Sequence, residues 1–250
     1  MRTQLPLALF AAALTCSLFT ASAHAQRARV FVASYGNDSN PCTFGSPCKT
    51  FQNAVNVVAA GGEVTAIDSA GFGTVTITNK SVSITSPNGV EAGIAVPSGG
   101  AGITINAGPN DLVSLRGLTI DGAGLGSNGI VFNSGASLNI QECVVRNFQT
   151  NGILASATNA QLHVSDTLIA DITTAPPSNG NGIGIFIIPN SGNFTGVLSH
   201  VRLDNDYFFG LVAGNAVTNT AVINVTIEDS VASNSRVESS PKGALARLYN

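Results

Sequence analysis

Tryptophan is absent from this 250-residue chain, methionine occurs once, and charged residues make up only 10 %. Each shortage excludes something. Without Trp, an aromatic platform for a sugar ring would have to come from Tyr or Phe, and Tyr207-Phe208-Phe209 is the only aromatic run. With 11 Lys and Arg against 14 Asp and Glu and no basic cluster, the chain lacks the electrostatic footprint of a nucleic-acid binder. Few Lys and Glu, set against many Val, Ile, Thr, Asn and Ser and 27 Gly, disfavour helix and favour strands and turns.

The longest apolar stretch is at the start. In MRTQLPLALFAAALTCSLFTASAHA, Arg2 supplies the positive end, Leu5 to Phe19 the apolar stretch and Ala23-His24-Ala25 a small-residue cleavage pattern. Residues 1–25 read as a secretory signal; the apolar part is short for a membrane span, and no later segment could form one. The mature chain begins near Gln26, carries a net charge of −4 once Arg2 is gone, and is expected to be secreted or periplasmic.

Three cysteines then remain. Cys42 and Cys48 bracket CTFGSPC, and in an exported protein a disulfide closing this loop is the leading reading. A reactive Cys48 near a helix start is the other. Cys143 falls on an inward strand position and reads as a buried free thiol.

The rest of the chain repeats itself. Short alternating strands begin at Leu118, Cys143, Thr167, Val201 and Ser230, which are 25, 24, 34 and 29 residues apart, and each ends in a Gly-, Asn- or Asp-bearing turn. Upstream lies a constant apolar position: Leu115, Ile140, Val164, Leu198 and Ile227. Downstream a Gly opens a third strand at Gly129-Ile130, Gly152-Ile153, Gly182-Ile183 and Gly210-Leu211, and more weakly at Gly243-Ala244. The long intervals carry loop sequence such as TTAPPSNGN. A period in the twenties with insertions confined to loops marks a solenoid. Each strand pairs with its own copy one coil away, about 4.8 Å distant, so strands too short for a hairpin can be stable.

These repeats resemble the right-handed parallel β-helix family of pectate-lyase-like architecture, over roughly Gly61 to the C-terminus. The resemblance implies an all-β fold. The approach VFVASYGNDSNPCT…PCKTFQNAV also resembles the N-terminal segment of many secreted β-helix proteins. The expected organisation is a signal at 1–25, a strand and capping helix at 26–62, and β-helix coils at 63–250. The helix is expected to start at N-cap Ser46 and Pro47, to bury Phe51, Ala54, Val55 and Val58, and to stop at Gly61-Gly62. At the other end PKGALARLYN has no amphipathic closing helix. It reads as a tail folded over the edge, as a truncation, or as an edge open to a partner, including a second copy.

The resemblance raises the prospect of a polysaccharide lyase or hydrolase acting on an acidic chain. Sites in such relatives lie on the outer face of one sheet and in the loops beside it. Here the sheet beginning with the Gly-Ile strands should turn Val131, Leu154, Gly184 and Val212 outward, and none is an acid or base. A glycosidase needs two carboxyls; a lyase would call for acidic oxygens around calcium and a base. The remaining catalytic candidates form a loop column after the second strand: Asp121, Arg146, Asp171, Asp204 and Asp206. Its plain reading is a solvated turn ladder. A second column, in the tight turn between the first two strands, runs Gly117, Glu142, Asp166, His200 and Asp229, which puts His200 between two acids. The expectation is therefore a non-catalytic structural module, or one that binds polysaccharide or a cell-surface glycan, with no cofactor and no metal. Lyase or hydrolase chemistry on the loop column is the alternative.

Overall fold

The computed structural model describes residues 27–173, 182–214, 220–234 and 246–248. The expected signal lies outside them, as do most of TTAPPSNGN and the Gly243-Ala244 pair.

The strands, numbered in chain order, fall into three parallel sheets. The first holds β1 (Arg27–Val32), β2 (Val58–Ala66), β5 (Val82–Thr85), β8 (Leu112–Arg116), β11 (Ser137–Gln141), β14 (Ala160–Ser165), β17 (Asn193–Ser199) and β20 (Val222–Glu228). The second holds β3 (Ala70–Gly71), β6 (Ala92–Ala95), β9 (Leu118–Asp121), β12 (Val144–Arg146), β15 (Leu168–Ala170), β18 (Arg202–Asp204) and β21 (Val231–Ser233). The third holds β4 (Val75–Thr78), β7 (Ala101–Asn106), β10 (Asn128–Ser134), β13 (Asn151–Ala155), β16 (Ile183–Ile187), β19 (Phe209–Ala213) and β22 (Ala246–Leu248). Each strand's neighbour in a sheet is the strand one coil before or after it, which is a parallel β-helix.

The apolar column read from the repeats is the spine of the first sheet. Leu115 pairs with Ile140, Ile140 with Val164, Val164 with Leu198, and Leu198 with Ile227. It continues backwards through Ile84 and Val64 to Val30. Equivalent columns, Ile94–Ile120–Val145–Ile169–Leu203 and Val75–Ile103–Ile130–Ile153–Ile185–Leu211, line the other two sheets. Alternation along a strand sends every second side chain inward, and parallel stacking in register puts like on like. Phe132, Phe148 and Phe194 fill the remaining interior with no exposed surface.

The turns explain the recurring Gly, Asn and Asp. Gly117, Glu142, Asp166, His200 and Asp229 all have left-handed backbones, with φ between 45° and 71°. So do Asn147, Asp171, Asn205 and Asn234 after the second sheet, with φ between 56° and 61°. L-residues other than Gly, Asn and Asp adopt this region at a cost of about 1–2 kcal/mol; here successive coils impose it together.

The N-terminal cap differs from expectation at both of its ends. The helix, α1 (Phe51–Val57), is capped by Thr50, whose side chain accepts from the Asn53 N–H. Ser46 to Cys48 are not helical: the Cys48 N–H donates to Phe31 O and the Ala33 N–H to Cys48 O, so this segment serves as an edge partner for β1. The helix ends at Val57 and the chain passes directly into β2, which contains Gly61 and Gly62. The boundary expected at 62/63 therefore falls within a strand, and β1 is itself part of the first sheet. At the other end, Ala246–Leu248, within PKGALARLYN, pairs in parallel with Leu211–Ala213 and adds a strand to the third sheet; the rest of that tail lies outside the described residues.

The Cys42–Cys48 disulfide is present, and Cys143 is a buried free thiol whose pKa desolvation pushes up to about 11. Among the described residues no helix is long and apolar enough to cross a membrane.

Candidate functional site

The loop column assembles only in part. Asp121, Arg146, Ala170 and Asp204 occupy one register position on successive strands of the second sheet. Arg146 Nε donates to Asp121 Oδ2 at 2.9 Å, and Asn147 Nδ2 and the Ala123 N–H donate to Asp121 Oδ1 at 3.0 and 2.8 Å. Partial desolvation raises the Asp121 pKa, but these donors outweigh it and hold the carboxyl below its ordinary range. Asp204 accepts from Ser233 Oγ, Asn234 Nδ2 and Arg202, each at 2.8 Å, and is also held low. Asp171 stands one residue further on, in the left-handed turn, and accepts from Asn205 Nδ2 at 2.6 Å.

Asp206 leaves the column altogether. Its side chain turns into the interior with no exposed surface, and among the described residues neither carboxyl oxygen has a hydrogen-bond partner of normal geometry. Desolvation pushes its pKa up to about 9; the nearby Ile172 N–H lowers it, while the charges of Asp204 and Asp171 add to the rise.

Glycoside hydrolysis requires one protonated and one ionised carboxyl reaching the same bond. Here Asp121 and Asp204 are held ionised by close donors, and Asp206, held neutral, is sealed inside. Asp121 and Asp204 stand three coils apart, about 14 Å at about 4.8 Å per coil, beyond the separation either stereochemical mechanism uses. Among the described residues no group of three or more His, Cys, Asp and Glu is placed to hold a metal ion.

The tight-turn column forms as expected. His200 Nδ1 lies 3.9 Å from Asp166 and Nε2 lies 3.8 Å from Asp229, all three being exposed. Arg116 and Glu142 make a further exposed pair at 3.1 Å in the same row. Exposed pairs of this kind contribute about 1 kcal/mol or less.

The outer face of the third sheet is the other candidate. Its outward column is Thr76, Thr104, Val131, Leu154, Phe186 and Val212. Gly184, expected outward, instead faces the interior against Asp206, and Phe186 takes the outward place. Across the insertion before it, β16 is in register through Ile185 rather than Ile183, a shift of two residues.

Beside Leu154 and Phe186 lies a groove of about 350 Å³, with Ile188 extending its apolar floor and Thr150, Asn151, Ser156 and Asn190 along it. No lining residue is charged. Asn151 is buried; its Nδ2 donates to Asn128 Oδ1 at 2.9 Å, while its Oδ1 has no partner among the described residues. Next to the groove, Ile183, Phe209 and Val212 form a buried cluster outside the main core, with Phe186 and Phe208 packed on it. The aromatic run stacks into this cluster, with Tyr207–Phe208 and Phe208–Phe209 ring centroids 5.3 and 6.2 Å apart.

Sequence reasoning missed Asn151, Phe186, Ile188 and Asn190. The pairs Asn128-Gly129 and Asn151-Gly152, at the same point of successive coils, were the one signal that could have found any of them.

No match was found among family sequence models or curated protein sequences. The fold does match solved structures. A crystal structure of pectate lyase Pel9A superposes with a TM-score of 0.60 at 14% identity, covering 87% of this chain and 57% of that one. Geobacillus virus E2 ORF18 superposes with a TM-score of 0.61 at 13% identity, covering 99% of this chain and 51% of that one. The chain thus spans between half and three-fifths of the length of these two structures. At such identities the likeness is one of architecture: this is an all-β protein of the parallel β-helix, pectate-lyase-like fold.

Proposed function

We propose that the chain is a non-catalytic carbohydrate-binding module of the extracellular or periplasmic space, which holds a glycan in the groove on the outer face of the third sheet. The observation that carries this reading is the groove's make-up: an apolar floor of Leu154, Phe186 and Ile188, with Asn151, whose Oδ1 is unpaired among the described residues, and Thr150, Ser156 and Asn190 alongside. Sugar rings present one apolar face and a rim of hydroxyls, and sites for them combine an aromatic or aliphatic surface with a few fixed polar groups. The groove carries no cation to meet a uronate, so the favoured ligand is a neutral glycan. The Cys42–Cys48 disulfide supports export, and a pectate lyase on the same fold is consistent with a polysaccharide ligand.

The test is a glycan array with the full chain and a Phe186→Ala variant, whose folding is checked by circular dichroism. Binding to neutral glycans that falls about tenfold in the variant is the expected result. Turnover of an acidic polysaccharide, with or without calcium, that is abolished by Asp171→Ala or Asp204→Ala would replace this reading with the lyase or hydrolase one.

A further inference from the structure

One acidic side chain stands where the repeat calls for an apolar one. The residue after the left-handed turn of the second sheet is Phe148 on one coil, Ile172 on the next and Asp206 on the third. All three sit in the same slot, each facing a glycine at the start of the third sheet. A Cβ placed on Gly129, Gly152 or Gly184 would lie 3.2 Å from a Phe148 ring carbon, 3.4 Å from Ile172 Cδ1 and 2.5 Å from Asp206 Oδ2 respectively. The carboxyl therefore occupies the apolar slot itself, packed against bare backbone, fully buried and with both oxygens unpartnered among the described residues.

An ionised carboxylate without donors is far costlier to bury than a neutral acid. The charges around it make this worse. Asp171 and Asp204, from the adjoining turn and strand, both repel a negative charge there. Arg202 is turned to Asp204 at 2.8 Å and is exposed. Tyr207 is next in sequence, and β16 and β19, packed alongside, contain no titratable residue.

The residues just after Asp206 give this burial a consequence. The Tyr207 N–H donates to Ile172 O and the Phe208 N–H to Gly182 O, both at 2.9 Å, so the aromatic run is laid down directly from the buried residue. Phe208 and Phe209 then build the outer cluster shared with Phe186.

We infer that Asp206 is a proton-controlled latch on the coil that carries the outer aromatic cluster. Neutral, it stays in the apolar slot and holds Tyr207-Phe208-Phe209 against the third sheet. Ionised, it leaves the slot and releases that run. The inference does not depend on the glycan reading, since it concerns the coil alone.

In the unfolded or opened chain the carboxyl ionises at its ordinary value of 3.8, whereas in the closed coil it stays protonated to about 9. The closed state is thus fully favoured below pH 3.8 and loses ground as pH rises towards 9. The loss is at most about tenfold in the closing equilibrium per pH unit.

The test is amide hydrogen exchange across residues 204–213 in the full chain, comparing the wild type with Asp206→Asn and Asp206→Ile at matched pH. The isoleucine variant copies the side chain that Ile172 places in the same slot. At about pH 4 wild type and variants are expected to show similar protection. By about pH 8 the wild-type segment should open at least about a hundredfold, and up to about ten-thousandfold, more often than in either variant. The variants should show only the intrinsic pH dependence of exchange. A wild type that tracks both variants across the range, or differs from them by a factor independent of pH, overturns the latch. If the asparagine variant fails to fold, the isoleucine comparison decides alone.

Discussion

The first and last described coils of the first sheet differ in how well their inward residues are covered. At the N-terminal end the interior residues Val30, Val32, Phe51 and Ala54 have no exposed surface. The Cys42–Cys48 loop lends backbone groups to the edge of β1, and Asp38 accepts from the Lys49 and Thr50 N–H groups and from Thr50 Oγ1. In β20 the inward residues Ile223, Val225 and Ile227 are only half-buried, although Phe194 and Leu198, which pair with Ile223 and Ile227 from one coil earlier, are sealed. The same inward column is therefore worth less at this end, because burial in a solenoid comes from the coils on both sides. A covalent loop, a side-chain clasp and a single helix do for the first coil what another coil does in the middle.

Truncating the column should make that gradient measurable. Phe148→Ala in the middle coils should cost about 3–5 kcal/mol in urea unfolding, against about 1–2 kcal/mol for Ile227→Ala; equal losses would mean that β20 is as well buried as the centre. Opening the cap comes next. Cys42→Ser should cost about 2 kcal/mol from the short loop it frees, with the loss of protection confined first to β1 and α1. Asp38→Ala, which leaves the Lys49 and Thr50 N–H groups without that acceptor, should cost about 1–2 kcal/mol.

The pH profile separates carboxyls of opposite behaviour. Asp121 and Asp204 are held low, so their contribution is present above the ordinary carboxylate value of 3.8 and is lost as pH falls through their lower folded-state values. Asp206 is held high and acts in the reverse sense, eroding stability from pH 3.8 upwards towards 9. Asp206→Asn should therefore lift only the neutral and alkaline limb of a thermal-unfolding profile and leave the acid limb unchanged. The smallest effect should come from Arg146→Ala, which removes an exposed pair with Asp121. It should cost less than about 1 kcal/mol and should shrink as salt is added.

The candidate residues divide by how local their determinants are. His200 was legible between Asp166 and Asp229 because the tight turn itself carries no insertion, although the coils on either side of it are the two longest. The Cys42–Cys48 pair was legible from spacing together with the expected export. Phe186 was not, because the chain between β15 and β16 is long. A Gly-Ile pair occurs there both at the correct phase, Gly184-Ile185, and two residues before it, at Gly182-Ile183. Ser46-Pro47 carries a helix-start signal that pairing with the edge of β1 overrode.

From the sequence alone came the solenoid, its inward column from Leu115 to Ile227, the disulfide and the place of the turns, since strand alternation, a repeating period and turn chemistry are all short-range properties. Tertiary structure alone decided the phase of β16 and the fate of Asp206. Alternation says which side a residue takes within a strand, but it carries no phase across an insertion. Nor does it say which way a side chain points where strand gives way to turn. At Asp206 that direction is set by the bare backbone of Gly184 on the neighbouring wall, 22 residues back along the chain.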